Sequence, residues 1–266
     1  MSLEKFFTTL VLAGRRGPTD PVAQAAGCSH KALVPIAGVP MLVRVLRELR
    51  AVPHVKQIAV SIDDPAILNR LSEVRALVED GSIHVYPSGS SPAASVLAYF
   101  QSLQARGPLL VTTADHPLLT AEMLRHFCTA VAERDTDVAA GVMAASVFRA
   151  QYPYSKRSFI PLRDESFCGT NLFALCTPRA ASAAQFWGHA GRFRKRPWRL
   201  ISTFGPTNLL LLALRRLDLA AAIPRASRIL GARVAVVQMP FTECAIDVDN
   251  LDDFATATHI LNEREK

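Results

Sequence analysis

Two adjacent arginines follow a short apolar run near the start of the chain, in the order Leu10-Val-Leu-Ala-Gly14-Arg15-Arg16-Gly17. A buried strand that ends in a glycine turn brings backbone N–H groups close to an anion, and guanidinium groups add charge and paired hydrogen bonds. The pattern therefore favours a phosphate site. A strand end with two solvated arginines would show the same residues, so this stretch alone leaves both interpretations open.

Asp115 follows a second apolar run and precedes His116-Pro117. A carboxylate at a strand end can bind a divalent cation, which takes oxygen ligands and keeps several waters. The alternative is an N-cap for the helix predicted from Ala121, but Thr120 is better placed for that role. We therefore expect Asp115 to bind a metal and His116 to be structural or adjacent to the substrate.

Asp247 and Asp249 follow the last predicted strand, two residues apart. Alternate residues of an extended segment point the same way, so both carboxylates can face one cation or its waters. The alternative is capping of the final helix, for which Asn250 is the better placed residue. Asp252 and Asp253 lie in the first turn of that helix, where acidic side chains suit the helix dipole.

Three further stretches carry candidate ligand contacts. Lys31 is either a solvated charge or a point charge that meets a phosphate. The small-residue loop Ser88-Gly89-Ser90-Ser-Pro-Ala-Ala-Ser95 either lets a planar base approach the backbone or is a loop with a serine cap. In Gly169-Thr-Asn171 the amide either contacts an acceptor or belongs to the start of a strand.

Strand-like and helix-like runs alternate over the first half of the chain. Strands are predicted over 6–12, 57–62, 82–86, 108–112 and 137–144, and helices over 41–50, 65–78 (capped by Asp63 or Asp64), 90–105 and 121–134. Such alternation predicts an α/β protein with helices on both faces of a mostly parallel sheet. Ligands bind beyond the carboxyl ends of such strands, and Gly14, Ser88 and Asp115 all fall there.

The alternation breaks near residue 145. Beyond it we expect a strand over 169–175, a helix over 180–191, apolar helices over 208–217 and 219–230 (the second kinked or begun at Pro224), a strand over 233–239 and a helix over 251–262. A basic cluster lies between them at 192–199. No linker separates the two halves, so we expect one domain over 1–266, with 145–230 as an elaboration for the acceptor or a lid.

The composition limits the class of protein. The chain has 266 residues, of which 50% are hydrophobic and 20% charged, with a net charge of +7. This permits a sizeable core and favours anionic partners. The five cysteines form no Cys-x-x-Cys pair, which argues against a zinc or thioredoxin-type motif and for free thiols. With no signal-peptide pattern and no apolar run long enough for a membrane span, we expect a cytoplasmic protein.

Taken together, these stretches resemble the molybdenum-cofactor guanylyltransferase-like (MobA-like) NTP transferases. That family has a strand ending Leu-Ala-Gly, a loop with glycine and arginine, then Lys-x-Leu-x-x-x-x-Gly-x-Pro-x-Leu. The matching residues here are Leu12-Ala13-Gly14, Arg15, Arg16, Gly17, Lys31, Leu33, Gly38, Pro40 and Leu42. Asp115 resembles the family's metal aspartate, and Val248-Asp249-Asn-Leu-Asp-Asp253 resembles its late motif. Arg15 departs from the pattern, because the family usually has a second glycine there.

The resemblance implies a three-layer α/β/α nucleotide-diphospho-sugar transferase (GT-A-like) fold with a mixed, mostly parallel sheet. It also implies a nucleotidyltransferase, in which a phosphorylated acceptor attacks the α-phosphorus of a nucleoside triphosphate and pyrophosphate leaves. Arg15, Lys31 and Asp115 would be catalytic, and Mg²⁺ would lie on Asp115 and Asp249, with Asp247 beside them. The nucleotide would contact Leu12, Ala13, Gly14, Arg15, Arg16, Lys31, Ser88, Gly89 and Ser90, and the acceptor would contact Asn171.

Three other functions share some of these features. A GT-A-type glycosyltransferase would carry Asp-x-Asp in mid-chain, where this sequence has Asp115-His-Pro. A catalytically silent nucleotide-binding module is supported by Arg15 in the glycine position. Phe193 and Trp198 among the basic residues of 192–199 suit nucleic-acid binding, but we expect an acidic acceptor or a membrane face there. The apolar 208–230 segment suits core helices, a lid, a dimer interface or a lipid-acceptor pocket.

Overall fold

The computed structural model describes residues 5–15, 19–104, 107–155, 157–190 and 205–266. A sheet of eight strands runs through these residues. Two more strands, the second and third in the chain, form a separate hairpin. The strands in chain order are β1 Phe7–Leu12, β2 Pro35–Ile36, β3 Val39–Pro40, β4 Val55–Ile62, β5 Ile83–Pro87, β6 Leu109–Thr113, β7 Val138–Ala144, β8 Ile160–Pro161, β9 Ser166–Leu175 and β10 Val234–Gln238. Their order is β10-β7-β9-β6-β1-β4-β5, and β8 pairs with β9.

The helices cover both faces of this sheet. In the described residues they are α1 Pro21–Ala25, α2 Met41–Arg50, α3 Ser72–Glu79, α4 Pro92–Ser102, α5 Ala121–Ala132, α6 Ala145–Gln151, α7 Ala180–Ala190, α8 Pro206–Ala213, α9 Leu219–Leu230 and α10 Leu251–Arg264. The predicted three-layer α/β/α architecture is confirmed. None of the helices in the described ranges combines the length and apolarity that a bilayer span requires.

Buried apolar side chains form one core on each side of the central strand β1. Val11 faces a core that includes Leu42, Leu46 and Leu49 of α2 and Phe127 of α5. The helical spacing of these α2 residues places them on the face that packs against the sheet. Leu10 points the other way, because successive side chains alternate, and joins a core with Val96 and Phe100 of α4.

Strand β9 is the antiparallel member of the sheet. It lies between β6 and β7 and pairs antiparallel with both, whereas β1 pairs parallel with β4 and β6. The register of β7 against β9 shifts between Ala140 and Val142, and Asn171 there has a left-handed φ of 53°. A Cβ on Gly141 would collide with Thr170 Oγ1. Glycine at 141 therefore permits the irregular backbone that positions Asn171.

Most predicted elements are present, and several details differ. The short elements α1, β8 and the β2–β3 hairpin were not predicted. The helix expected over 65–78 is divided, because Leu71 is extended (φ −102°, ψ 100°) between a 3-10 helix Pro65–Arg70 and α3. Helix α6 was not predicted, since its sequence lacks a clear apolar period. The predicted helix over 208–217 corresponds to the shorter α8. Helix α9 begins at Leu219, where the Asp218 side chain accepts from Ala221 N, and not at Pro224.

Candidate active site

The Lys31 ammonium group lies between two aspartates at the carboxyl edge of the sheet. Its Nζ is 2.7 Å from Asp115 Oδ2 and 3.1 Å from Asp249 Oδ1, and it donates to the Val248 carbonyl at 2.7 Å. Asp115 follows β6 and is 7% exposed, whereas Asp249 is 43% exposed. The predicted catalytic lysine and two of the three predicted metal ligands therefore meet at one point.

Local structure explains why these three side chains converge. Lys31 opens a short 3-10 helix, Lys31–Leu33, whose Ala32 and Leu33 are buried and anchor it to the core. The Val248 N–H donates to the Asp115 carbonyl at 2.9 Å, which fixes the segment before α10 beside the end of β6. Asn250 caps α10 in a capping box with Asp253, as predicted for Asn250.

The glycine turn after β1 is packed closely against the loop after β5. A Cβ on Gly14 would lie 3.1 Å from Ser88 Oγ and 3.2 Å from Ser88 Cβ, which is tighter than ordinary contact. The Ser88 N–H donates to the Ile62 carbonyl, and Gly89 N–H donates to Ser95 Oγ at 2.8 Å. The two predicted nucleotide-binding loops are thus neighbours.

Arg15 is bonded to a residue that the sequence did not single out for the site. Asp63 accepts from Arg15 N–H at 3.0 Å through Oδ1 and from Arg15 Nε at 2.8 Å through Oδ2. His30 Nε2 lies 3.2 Å from the same Oδ1. Burial raises the pKa of Asp63, but the hydrogen bonds from Arg15 outweigh it and lower that pKa to about 2. Arg16, also predicted to bind the nucleotide, lies outside the described residues.

Asp247 lies in a second cluster, beside the first. Arg157 Nη2 donates to Asp247 Oδ1 at 2.9 Å, and Asn171 Nδ2 donates to Asp247 Oδ2 at 3.1 Å. Burial opposes ionisation, yet the Arg157 charge and the Asn171 hydrogen bond hold the pKa of Asp247 below its ordinary value. The sequence placed Asp247 and Asn171 in the site but missed Arg157, because the 152–164 stretch has no periodicity to locate it.

His116 packs beneath both clusters. It is fully buried, and burial lowers the pKa of His116 while the Asp247 and Asp115 charges oppose that shift. The ring is therefore neutral near pH 7 and adds no positive charge to the site. This placement is consistent with the expectation that His116 is structural or adjacent to substrate.

A cleft of about 1070 Å³ opens beside these clusters. The residues that line it include the aromatic Phe148, Tyr152 and Phe167. Arg157, Asp247 and Asp249 line the same cleft. The cleft therefore combines aromatic side chains, a guanidinium group and carboxylates.

The donor set at Lys31 fits a magnesium ion. Asp115 and Asp249 oxygens converge on one point, which a cationic nitrogen occupies here. Magnesium is usually held by one or two carboxylates together with waters and substrate phosphates. Among the described residues no group of three His, Cys, Asp or Glu side chains could hold a metal by itself. A site of two carboxylates that a phosphate completes agrees with the usual ligands of magnesium. It also agrees with the absence of a third candidate ligand among the described residues.

An open, mostly parallel sheet with cationic and acidic side chains at its carboxyl edge defines the α/β class of protein, whose members bind their ligands at that edge. Comparison with solved structures identifies the fold more closely. A hypothetical transferase from Thermus thermophilus is 28% identical, with a TM-score of 0.75 over 94% of this chain and 99% of that one.

Two more distant structures share the fold. They are 4-diphosphocytidyl-2C-methyl-D-erythritol synthase from Anaerococcus prevotii (13% identity, TM-score 0.58, 97% of both chains) and CMP:2-keto-3-deoxy-manno-octonic acid synthetase in complex with CTP (14%, 0.55, 98% of this chain and 99% of that one). Comparison with curated protein sequences gives no significant match.

The family model of the MobA-like NTP transferase domain matches residues 10–225. The chain therefore belongs to the MobA-like NTP transferase family, as the sequence resemblance predicted. The matched range includes the glycine turn, Lys31 and Asp115. Asp247 and Asp249 lie beyond it, and their place in the site rests on the contacts with Arg157, Asn171 and Lys31.

Proposed function

We propose that the protein transfers a nucleoside monophosphate from a nucleoside triphosphate to a phosphorylated acceptor, with release of pyrophosphate. The observation that carries the proposal is the convergence of Lys31, Asp115 and Asp249 at the sheet edge that also holds the glycine turn. Phosphate chains bind where backbone N–H groups and cations meet, and the carboxylates supply a place for the accompanying metal.

In this proposal the triphosphate lies along the turn formed by Leu12, Ala13 and Gly14. Arg15, Arg16 and Lys31 hold its charge, and Ser88, Gly89 and Ser90 line the place of the base. The close approach of Gly14 to Ser88 supports one continuous binding surface over both loops. Holding the α-phosphorus in line with the acceptor supplies much of the rate enhancement in transfers of this kind.

Asp115 and Asp249 would hold Mg²⁺, and Asp247 would reach the waters of that ion from the neighbouring cluster. The ion would supply positive charge against the charge that develops on the phosphoryl oxygens. Lys31 would then turn from the carboxylates to the phosphates, because both carboxylate oxygens that it now contacts are needed as ligands. Lys31 and Arg15 neutralise charge on the departing pyrophosphate.

The acceptor would occupy the cleft beside the metal pair. Arg157 offers it a guanidinium group and Asn171 an amide, both steadied by Asp247. An acceptor phosphate oxygen attacks the α-phosphorus, the bond to the β-phosphate oxygen breaks, and that oxygen leaves with the pyrophosphate. An ionised phosphate acceptor needs neither a covalent protein nucleophile nor a strong general base.

A thermal-shift panel of ATP, GTP, CTP and UTP, each with and without magnesium chloride, tests the proposal. We expect one triphosphate to raise the melting temperature only when magnesium is present, by mass action on the folded state. CTP is the first to try, since one structural neighbour is a complex with CTP. The Asp115→Asn variant should lose the magnesium-dependent part of the shift while keeping its fold.

Adding UDP- and GDP-sugars to the panel, together with an assay of pyrophosphate release, separates the competing functions. A triphosphate that binds without ever yielding pyrophosphate, in a screen of phosphorylated sugars and alcohols as acceptors, would favour a silent nucleotide-binding module. A shift with UDP- or GDP-sugars but with no triphosphate would favour a glycosyltransferase. No shift with any nucleotide would refute the proposed site.

A further inference from the structure

Asp63 joins the two loops that supply the cations of the proposed nucleotide site. It lies directly after β4 and bonds the backbone N–H and the Nε of Arg15, at 3.0 and 2.8 Å. Its Oδ1 also lies 3.2 Å from Nε2 of His30, the residue before Lys31. An ionised carboxylate can only accept, so Nε2 of His30 donates in this contact.

The environment of His30 makes this connection rigid. His30 is 2% exposed, and its other ring nitrogen lies 3.0 Å from Ser29 Oγ. Lys31 follows it in the short 3-10 helix. The Asp63 carboxylate therefore fixes two chain segments at once. One is the turn at Arg15, and the other is the 3-10 helix that begins at Lys31.

The bonds between Asp63 and Arg15 do not involve the two terminal nitrogens of the guanidinium group. Asp63 uses only the backbone N–H and Nε, and in the described part of the chain Arg15 Nη1 and Nη2 have no hydrogen bond. The Arg15 side chain is 47% exposed. A half-exposed guanidinium that is held at Nε and has no hydrogen bond at its two Nη groups in the described residues matches the fork that binds a phosphate.

We propose that Asp63 is a positioning residue for the triphosphate, acting through Arg15 and through the His30–Lys31 turn. The inference rests on the proposed function, since it needs a triphosphate at the glycine turn. The same contacts account for an arginine where the family usually has a glycine. The carboxylate that follows the neighbouring strand β4 bonds the Arg15 backbone N–H and Nε and leaves both Nη groups for the phosphates.

Asp63 and its neighbour Asp64 give a matched pair of variants. The Asp64 side chain accepts from Ala66 N at 3.1 Å and caps the following 3-10 helix, and it forms no hydrogen bond or ion pair with Arg15. Asp63→Asn keeps the shape and one carbonyl oxygen but removes the charge and one of the two acceptors for Arg15. Asp64→Asn removes the same charge one residue away.

The probe is inorganic tripolyphosphate with magnesium chloride, because it reports on the phosphate contacts without any base. Affinity is measured by isothermal titration calorimetry, and melting temperature by circular dichroism. We expect Asp63→Asn to bind tripolyphosphate about tenfold more weakly, since an arginine that is no longer held must be ordered on binding. Its melting temperature should stay within a few degrees of the parent, and Asp64→Asn should bind like the parent.

A double-mutant cycle with Arg15→Gln separates positioning from a general structural effect. If Asp63 acts largely through Arg15, the double variant binds only slightly more weakly than Arg15→Gln alone. The small remaining loss of affinity then comes from the displaced 3-10 helix that begins at Lys31. Losses of affinity that simply multiply would overturn the proposal, because Asp63 would then act independently of Arg15. Tighter binding by Asp63→Asn would also overturn it and would make Asp63 a charge that repels the phosphates.

One outcome would bear on the proposed function instead. If the parent protein binds neither tripolyphosphate nor any nucleoside triphosphate, the nucleotide site itself is refuted, and the role of Asp63 falls with it. If the parent binds and Asp63→Asn binds equally well, the proposed function stands and only the positioning role is refuted.

Discussion

Replacing Lys31 by methionine should destabilise the protein and make its stability depend on magnesium. Methionine keeps most of the side-chain length but leaves Asp115 without the ammonium group that lies 2.7 Å from it. Removing one partner of a buried ion pair costs about 3–5 kcal/mol. The Asp249 side of the pair is 43% exposed and adds little, so the lower end, about 3 kcal/mol, is the better expectation.

This cost corresponds to a measurable shift in melting temperature. For a protein of this size about 1 kcal/mol moves the melting temperature by roughly 2–4 °C, so Lys31→Met should melt roughly 6–12 °C lower in the absence of divalent cations. Magnesium chloride should then restore much of that loss, because the two carboxylates can take the ion without first displacing an ammonium group. The parent protein should respond far less to magnesium alone.

The assay is a series of thermal melts, followed by circular dichroism, over increasing magnesium chloride. Lys56→Met is the matched control, because Lys56 is an exposed lysine over the Phe6 ring that forms no ion pair among the described residues. Two results would refute the reasoning. One is a Lys31→Met melting temperature equal to that of the parent, and the other is an equal response of both proteins to magnesium.

Three further predictions follow from single contacts. Gly14→Ala places a Cβ 3.1 Å from Ser88 Oγ, so this variant should bind a triphosphate more weakly in calorimetry. Adding Ser88→Gly should restore the binding. An unchanged affinity of Gly14→Ala would contradict the close contact. Asn171→Ala should be about 1 kcal/mol less stable than Asn171→Gly in urea unfolding, because φ is 53° there, and equal stabilities would contradict a left-handed backbone. Hydrogen bonds from Arg233 hold the pKa of Asp137 well below its usual range, so the stabilisation that they provide is present above about pH 4 and is lost on acidification. The difference in melting temperature between the parent and Asp137→Asn should therefore narrow as the pH falls. A constant difference would contradict this role of Asp137.

The periodic part of the sequence predicted the fold well. Helix α2 begins and ends at Met41 and Arg50 as predicted, because its apolar residues recur at helical spacing and become buried. The order of strands and helices placed Gly14, Ser88 and Asp115 at carboxyl ends, and the structure confirms that placement. Their chemical roles remain predictions, as does the single domain over 1–266.

The missed residues share a physical cause. Asp63 and Asp64 were interchangeable as caps in the sequence, and only the structure shows that Asp64 takes the cap while Asp63 bonds Arg15. Arg157 bonds Asp247, 90 positions away in the sequence. Pairings of this kind depend on which loops the sheet order brings together, and no local period encodes them. The basic cluster over 192–199 lies outside the described residues.

The contact between Lys31 and the segment at Val248 and Asp249 has a consequence for synthesis on the ribosome. The loops that would hold the phosphates, together with Asp115, come from the first half of the chain, and strands β1, β4, β5 and β6 can pair once that half has emerged. The carbonyl and carboxylate that bind Lys31 lie 217 and 218 positions after it. A nascent chain therefore carries the loops proposed to bind the phosphates long before it can complete the pair formed by Asp115 and Asp249.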